Sequence, residues 1–182
     1  MFYKIWSKFL KWFGDIMFAT KPPKVRSFEI RHMLEIIKSG DIICRSYNYY
    51  LDSFLIPGKY THSGIVIKNT CIVHSIAEGV EYIDPIDFIK DADKFIILRP
   101  KYRTNALMKV AIKKAESLIG KDYDFMFDMD KDAYYCTELT VACLNEADIW
   151  PQSQIIKRFW IKKEVYTVKS LIDACEKIYE FA

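Results

Sequence analysis

Three short segments hold the residues whose types and spacing could do chemistry. Tyr60-Thr61-His62-Ser63-Gly64-Ile65-Val66-Ile67 and Ile72-Val73-His74-Ser75-Ile76 each read as a β-strand carrying one histidine. Tyr135-Cys136-Thr137-Glu138-Leu139 reads as the start of a helix with a cysteine in its first turn. A thiol at a helix N-terminus facing imidazoles on a sheet is what a cysteine nucleophile requires. The helix end and a neighbouring imidazolium both lower a thiol pKa, and the thiolate is the reactive form. Free backbone N–H groups in the first turn would also bind the oxyanion of a tetrahedral intermediate. The competing reading of Cys136 is a small buried hydrophobe, the usual fate of a free cysteine.

The histidine spacing sets a geometric test. His62 and His74 sit directly opposite each other across a hairpin whose three-residue loop is Ile67-Lys68-Asn69, with Asn69 in the left-handed position that ends such loops. Both rings would then share one face, with β-carbons about 5 Å apart. A two-residue Asn69-Thr70 turn would send them to opposite faces. The remaining histidine, His32, lies on a polar helical face with no sign of chemistry. A zinc site with three ligands can be drawn from His62, His74 and Cys136, but no fourth-ligand motif supports it. Cys143 lies roughly 10 Å further along the helix, too far to share a metal with Cys136. Neither a metal nor a cofactor is expected.

Half of the 182 residues are apolar and only 6 are glycine, which excludes a disordered or collagen-like chain. The length suits one domain with a real core. The net charge of +3 is modest and the lysines are dispersed, so nucleic acid is not an expected partner. The 5 cysteines are an odd number without a CxxC pair, which argues against a disulfide framework and for a reducing, cytoplasmic setting.

Residues 1–19 are rich in aromatic and aliphatic side chains, but Lys4, Lys8, Lys11 and Asp15 fall within roughly 60° of one another on a helix. Three lysines in the apolar stretch argue against a spanning helix, because each costs about 2.5–3.5 kcal/mol at the bilayer centre. No uninterrupted apolar run precedes a small-residue cleavage site, so a signal peptide also fits poorly. Two readings stay open. The apolar arc packs on the domain or on a second subunit, or it lies in a membrane interface with its lysines toward the headgroups.

Pro22-Pro23 ends this first helix. Ser27 can cap a second, running from Phe28 to about Lys38 and stopped by Ser39-Gly40. A strand from Asp41 to Arg45 follows, then an aromatic segment from Asn48 to Lys59 read as a short helix and loop. Strands are expected over Gly64–Lys68, Cys71–Ile76, Val80–Ile83 and Phe95–Arg99. A short helix is capped by Asp84-Pro85 and a long one, ending at Gly120, by Thr104. The cysteine helix spans about Tyr135 to Glu146, and a last helix runs from Val168 to about Tyr179. Helices at both ends around antiparallel strands give an α+β class. The expected division is an N-terminal amphipathic helical extension over residues 1–39 and a second, catalytic unit over residues 40–182.

An ordered set of segments resembles a known family. Gly40-Asp41-Ile42-Ile43, Pro57-Gly58-Lys59-Tyr60-Thr61-His62-Ser63-Gly64-Ile65, Glu78-Gly79-Val80, Leu98-Arg99-Pro100, Tyr123-Asp124-Phe125 and Tyr135-Cys136-Thr137-Glu138-Leu139 follow one another. Together they resemble the YiiX/YebB-like branch of the circularly permuted NlpC-type papain-like enzymes, from about Gly40 to the C-terminus. The resemblance implies a cysteine-bearing helix packed on an antiparallel sheet. It implies Cys136 as nucleophile, His62 as general base and then acid, and His74 as the group that orients His62. Close relatives often have glutamate at the third position, and a neutral His74 would stabilise a charged His62 less than a carboxylate would. Tyr123 falls near the tyrosine that assists the oxyanion in NlpC-type peptidases. Glu138, about 200° around the helix from Cys136, supports the helix rather than taking the reacting proton.

The implied reaction is acyl transfer through a thioester. Three functions stay open: an amidase or endopeptidase acting on a peptide-like substrate, a lipid acyl hydrolase or acyltransferase at a membrane surface, and a non-catalytic binding module. The apolar N-terminal helix leaves the oligomeric state open as well.

Overall fold

The computed structural model describes residues 8, 22–47, 58–68, 70–128, 132–158 and 161–182. The readings made for residues 1–19, for the aromatic segment 48–57 and for the conformation of Asn69 lie outside these residues.

Helix α1 (Ser27–Ile36) is capped by Arg26 rather than by Ser27. The Arg26 backbone N–H donates to the Glu29 carboxylate at 2.9 Å, satisfying one of the donors a helix start leaves free. Strands β1 (Ile42–Ser46), β2 (His62–Lys68), β3 (Cys71–Ile76) and β4 (Gly79–Ile83) follow. Helix α2 (Pro85–Ile89) has the predicted start: the Asp84 carboxylate accepts from the Ile86 N–H at 2.7 Å, with proline in the first turn. Then come β5 (Lys94–Arg99), α3 (Asn105–Ser117), α4 (Cys136–Glu146), β6 (Gln154–Arg158), β7 (Ile161–Val165), α5 (Val168–Ala174) and β8 (Glu176–Phe181). Thr104 caps α3 by accepting from the Leu107 N–H at 3.2 Å.

One antiparallel sheet of 6 strands, in the order β4-β3-β2-β1-β5-β8, runs through the molecule with helices on both faces. On one face Met33 of α1 and Phe88 and Ile89 of α2 pack with Ile43, Val66, Ile72 and Ile97. On the other, Ala111 and Ala115 of α3 and Leu139 and Cys143 of α4 pack with Ile65, Ile67 and Val73. Beside them Val141 and Leu144 of α4 and Leu171 of α5 meet Ile42, Cys44, Ile96 and Leu98. Alternate residues of each strand thus serve opposite layers, as the pleat requires.

The C-terminus departs from the sequence reading. The helix expected to reach Tyr179 ends at Ala174, and Glu176–Phe181 pairs antiparallel with β5. Burial explains the difference. Tyr179 and Phe181, two apart on one face of the strand, both lay their rings on Phe95, at 5.6 and 6.0 Å between centroids. A helix could not have closed that edge of the sheet. The hairpin of β6 and β7 was also not anticipated.

Candidate active site

The hairpin of β2 and β3 is built differently from the three-residue loop expected. The strands close at Lys68↔Cys71, so two residues separate them, and an irregularity between Val66 and Lys68 inserts Ile67 as an extra residue. A two-residue loop alone would throw the histidines to opposite faces, and the bulge restores the parity. The partner of His74 is consequently Gly64, with His62 on the diagonal. Both rings still share a face, and His62 Nε2 lies 2.9 Å from His74 Nδ1. The rings meet edge-on, with centroids 5.2 Å apart, and Phe88 of α2 packs against both at 5.5 and 5.6 Å.

Cys136 is the first residue of α4, with Tyr135 as N-cap. The Glu138 carboxylate accepts the Tyr135 N–H at 3.3 Å and caps the turn that carries the thiol. Two buried serines on the face opposite the histidine rings fix this turn to the sheet. Ser63 Oγ donates to the Cys136 carbonyl at 3.2 Å, and Ser75 Oγ donates to the Tyr134 carbonyl at 2.5 Å. Helix α4 therefore packs on the other layer from the two rings. Its sulfur meets the sheet at the start of β2, 3.8 Å from the carbonyl oxygen of Thr61, the residue before His62.

The electrostatics correct one expectation. Burial pushes the Cys136 thiol up; hydrogen bonding at Ser63 and Thr137, then the Arg45 charge, oppose this without reversing it. The thiol is thus not a preformed thiolate. Burial first, then Arg45 and His74, pushes His62 well below the usual imidazole range. Burial and then Arg45 lower His74 to about 3. At rest the thiol and both imidazoles are therefore neutral, which is the protonation state general-base activation starts from.

Arg45 was missed at the sequence level. It pairs with His62 across β1 and β2, is 8% exposed, and donates from Nη1 to the Phe88 carbonyl. Its guanidinium stacks 4.4 Å from the Phe88 ring centroid and 4.5 Å from that of Tyr47. The available signal was an arginine ending the otherwise apolar run Ile42-Ile43-Cys44.

Tyr123 is half-buried and packs edge-on against Phe125, 4.9 Å between centroids. The Tyr134 N–H donates to the Asp122 carbonyl at 2.9 Å, which ties the Tyr123 loop to the segment leading into Cys136.

Comparison with known proteins settles the family. Residues 36–175 match the model of a family described as permuted papain-like amidase enzymes, YaeF/YiiX, C92 family. The chain belongs to this family. A solved structure similar to this permuted papain-like amidase is the crystal structure of the metalloprotein yiiX from Escherichia coli O157:H7. The two are 19% identical, with 79% of this chain and 97% of that chain covered and a TM-score of 0.68, which shows the shared fold. No curated protein matches the chain in sequence. As a permuted papain-like amidase the chain is an enzyme of the cysteine-hydrolase class. Among the described residues no helix is long and apolar enough to cross a membrane.

Proposed function

We propose that this amidase cleaves an amide bond of a peptide-like substrate, with Cys136 as nucleophile, His62 as base and acid, and His74 as the orienting group. The observation that carries the reading is the pairing of His62 Nε2 with His74 Nδ1 at 2.9 Å, together with a helix-first cysteine whose sulfur lies 3.8 Å from the carbonyl of Thr61, the residue before His62. With Nε2 committed to His74, Nδ1 is the nitrogen of His62 left for the thiol proton.

The thiol proton passes to His62 as sulfur attacks the carbonyl carbon. The first-turn N–H groups of α4, with Tyr123 as a further candidate donor, stabilise the oxyanion. Collapse breaks the C–N bond, His62 returns its proton to the departing amine, and a thioester remains. Water then gives a proton to His62, attacks the thioester and releases the acid and the thiol.

The relative from Escherichia coli is described as a metalloprotein. Among the described residues of this chain no three His, Cys, Asp or Glu side chains are grouped to hold a metal, and the two imidazole nitrogens face one another instead. The described residues do not fit a metal site, and no step is assigned to one.

The test is acid-quenched mass spectrometry of the full chain with a peptide library. A peptide-derived thioester on Cys136, lost in Cys136→Ala and strongly diminished in His62→Ala, is the expected result. Cleavage that survives Cys136→Ala refutes the assignment, and an adduct with the mass of a fatty acyl group, formed on phospholipid vesicles instead, moves the substrate class to lipid.

A further inference from the structure

We propose that Glu81 is a positioning residue of this site, whose carboxylate selects the imidazole tautomer that leaves His62 free to act as a base. The proposal rests on the amidase reading above and assigns a fourth side chain to it. His74 pairs with Glu81 across β3 and β4, and His74 Nε2 lies 3.5 Å from Glu81 Oε1. That nitrogen is buried and has no hydrogen-bond partner at closer range among the described residues. The side chains differ sharply in exposure, 2% for His74 against 49% for Glu81, so a solvated carboxylate reaches in from the sheet edge toward a dry imidazole.

The consequence follows from proton counting. A neutral imidazole has one N–H and one lone pair. Across the 2.9 Å contact, one of His62 Nε2 and His74 Nδ1 donates and the other accepts. If His74 carries its proton on Nδ1, that proton points at His62 Nε2. His62 must then hold its own proton on Nδ1, the nitrogen needed for the thiol. If His74 carries its proton on Nε2, His74 Nδ1 accepts from His62 Nε2–H, and His62 Nδ1 presents a lone pair. A carboxylate beside His74 Nε2 favours the second arrangement, because it accepts that N–H and has none to give.

The charges around His74 make this anion matter. His62 faces it from β2, the Arg45 cation from β1 and Glu81 from β4, while α2 presents the uncharged ring of Phe88. Arg45 opposes positive charge on either ring. Glu81 opposes that effect from the other side when His62 takes the thiol proton. At 3.5 Å the contact is long in the resting state, and such contacts tighten when charge develops.

The test uses the full chain with nitrogen-15-labelled histidine. Long-range proton–nitrogen spectra at pH 7 assign the tautomers directly. The expected wild-type pattern is Nε2–H on both His74 and His62. Glu81→Leu should populate Nδ1–H on both rings together. Glu81→Gln, whose amide oxygen still accepts, should restore the wild-type pattern. In parallel, iodoacetamide labelling of Cys136 at pH 7 should fall about tenfold in Glu81→Leu and recover in Glu81→Gln, the low end of what orienting partners of histidines contribute. Unchanged tautomers in Glu81→Leu, or in Glu81→Ala should the leucine variant not fold, overturn the proposal. A labelling rate indifferent to His62→Ala overturns the amidase reading instead, and the spectra still decide the role of Glu81.

Discussion

Gly64 stands directly across the sheet from His74, with His62 on the diagonal and its Nε2 2.9 Å from His74 Nδ1. A β-carbon at Gly64 would sit 2.6 Å from Ile72 Cγ2, 3.1 Å from the Val73 carbonyl oxygen and 3.2 Å from Phe88 Cε2. One of these contacts is backbone and another is the ring that supports both histidines. Gly64→Ala is therefore expected to lose about 1–3 kcal/mol in urea unfolding, the usual cost of overpacking a dense core. It should also displace the histidine resonances. A variant as stable as the wild type, with unmoved rings, would show that the space is not limiting.

The second prediction concerns the thiol. Burial holds Cys136 up and Arg45 holds it down. Iodoacetamide labelling of Cys136 should therefore rise with pH through and beyond the ordinary thiol range, rather than level off below pH 7 as a preformed ion pair would. Arg45→Met keeps the packing stem against Phe88 and Tyr47 but removes the cation. Its labelling profile should shift further toward alkali. A shift toward acid would mean that the guanidinium does not act on the sulfur.

The histidine pair should make the fold acid-sensitive in a defined window. Burial, and then Arg45, lower His74 from the ordinary imidazole value of 6.5 to about 3 in the folded chain. Below pH 6.5 the unfolded chain binds a proton the folded one refuses, so stability is full above that pH and drains away as pH falls toward 3. His62, depressed for the same reasons, adds to the same window. The loss should reach on the order of a few kcal/mol. Urea midpoints measured at pH 7 and pH 4 should converge in His74→Gln relative to wild type. Equal acid loss in both proteins would place the sensitivity elsewhere.

The parts of the fold legible in the sequence were those with local chemical signals. Asp84-Pro85 and Thr104 marked helix starts because a side-chain acceptor and a helix donor are neighbours along the chain. The two histidine-bearing segments were legible as strands, and His62 and His74 were expected on one face. The mechanism of that arrangement was not legible. A bulge at Ile67 is a backbone choice that leaves no residue-type signature, and here it compensates for a shorter loop. The terminal strand was missed because Ile178, Tyr179 and Phe181 satisfy a helical stripe as well as a strand. Only the open edge of β5, far away in sequence, decides between them. Arg45 and Glu81 escaped for a related reason, since each becomes relevant through a cross-strand partner, His62 for one and His74 for the other.

The last prediction addresses what holds β1, and with it Arg45, in place. Asp41 immediately precedes β1 and is 1% exposed, while Arg99 ends β5. The guanidinium grips the carboxylate with both hands of its fork, Nε to Oδ1 at 2.8 Å and Nη2 to Oδ2 at 2.7 Å. The same Oδ2 accepts the Lys38 N–H at 2.9 Å, and Arg99 Nη2 also donates to the Ile36 carbonyl at 3.2 Å. One ion pair thus joins the end of α1 to two adjacent central strands. Removing one member of a buried pair costs about 3–5 kcal/mol, because the partner's charge is left without its counterion. Arg99 keeps a side-chain exposure of 30%, so water recovers part of that cost and the lower end applies. Asp41→Asn retains an acceptor for Lys38 but leaves the guanidinium uncompensated, and should lose roughly 3 kcal/mol in urea unfolding at pH 7. Arg99→Lys, which has a single point of charge in place of the planar fork, should lose a large part of the same amount. The pH profile of Cys136 labelling should be unchanged in either variant while it remains folded, since the pair lies beyond the charges that set that thiol. A shifted profile in Asp41→Asn would show that the strand carrying Arg45 moves when this anchor is cut.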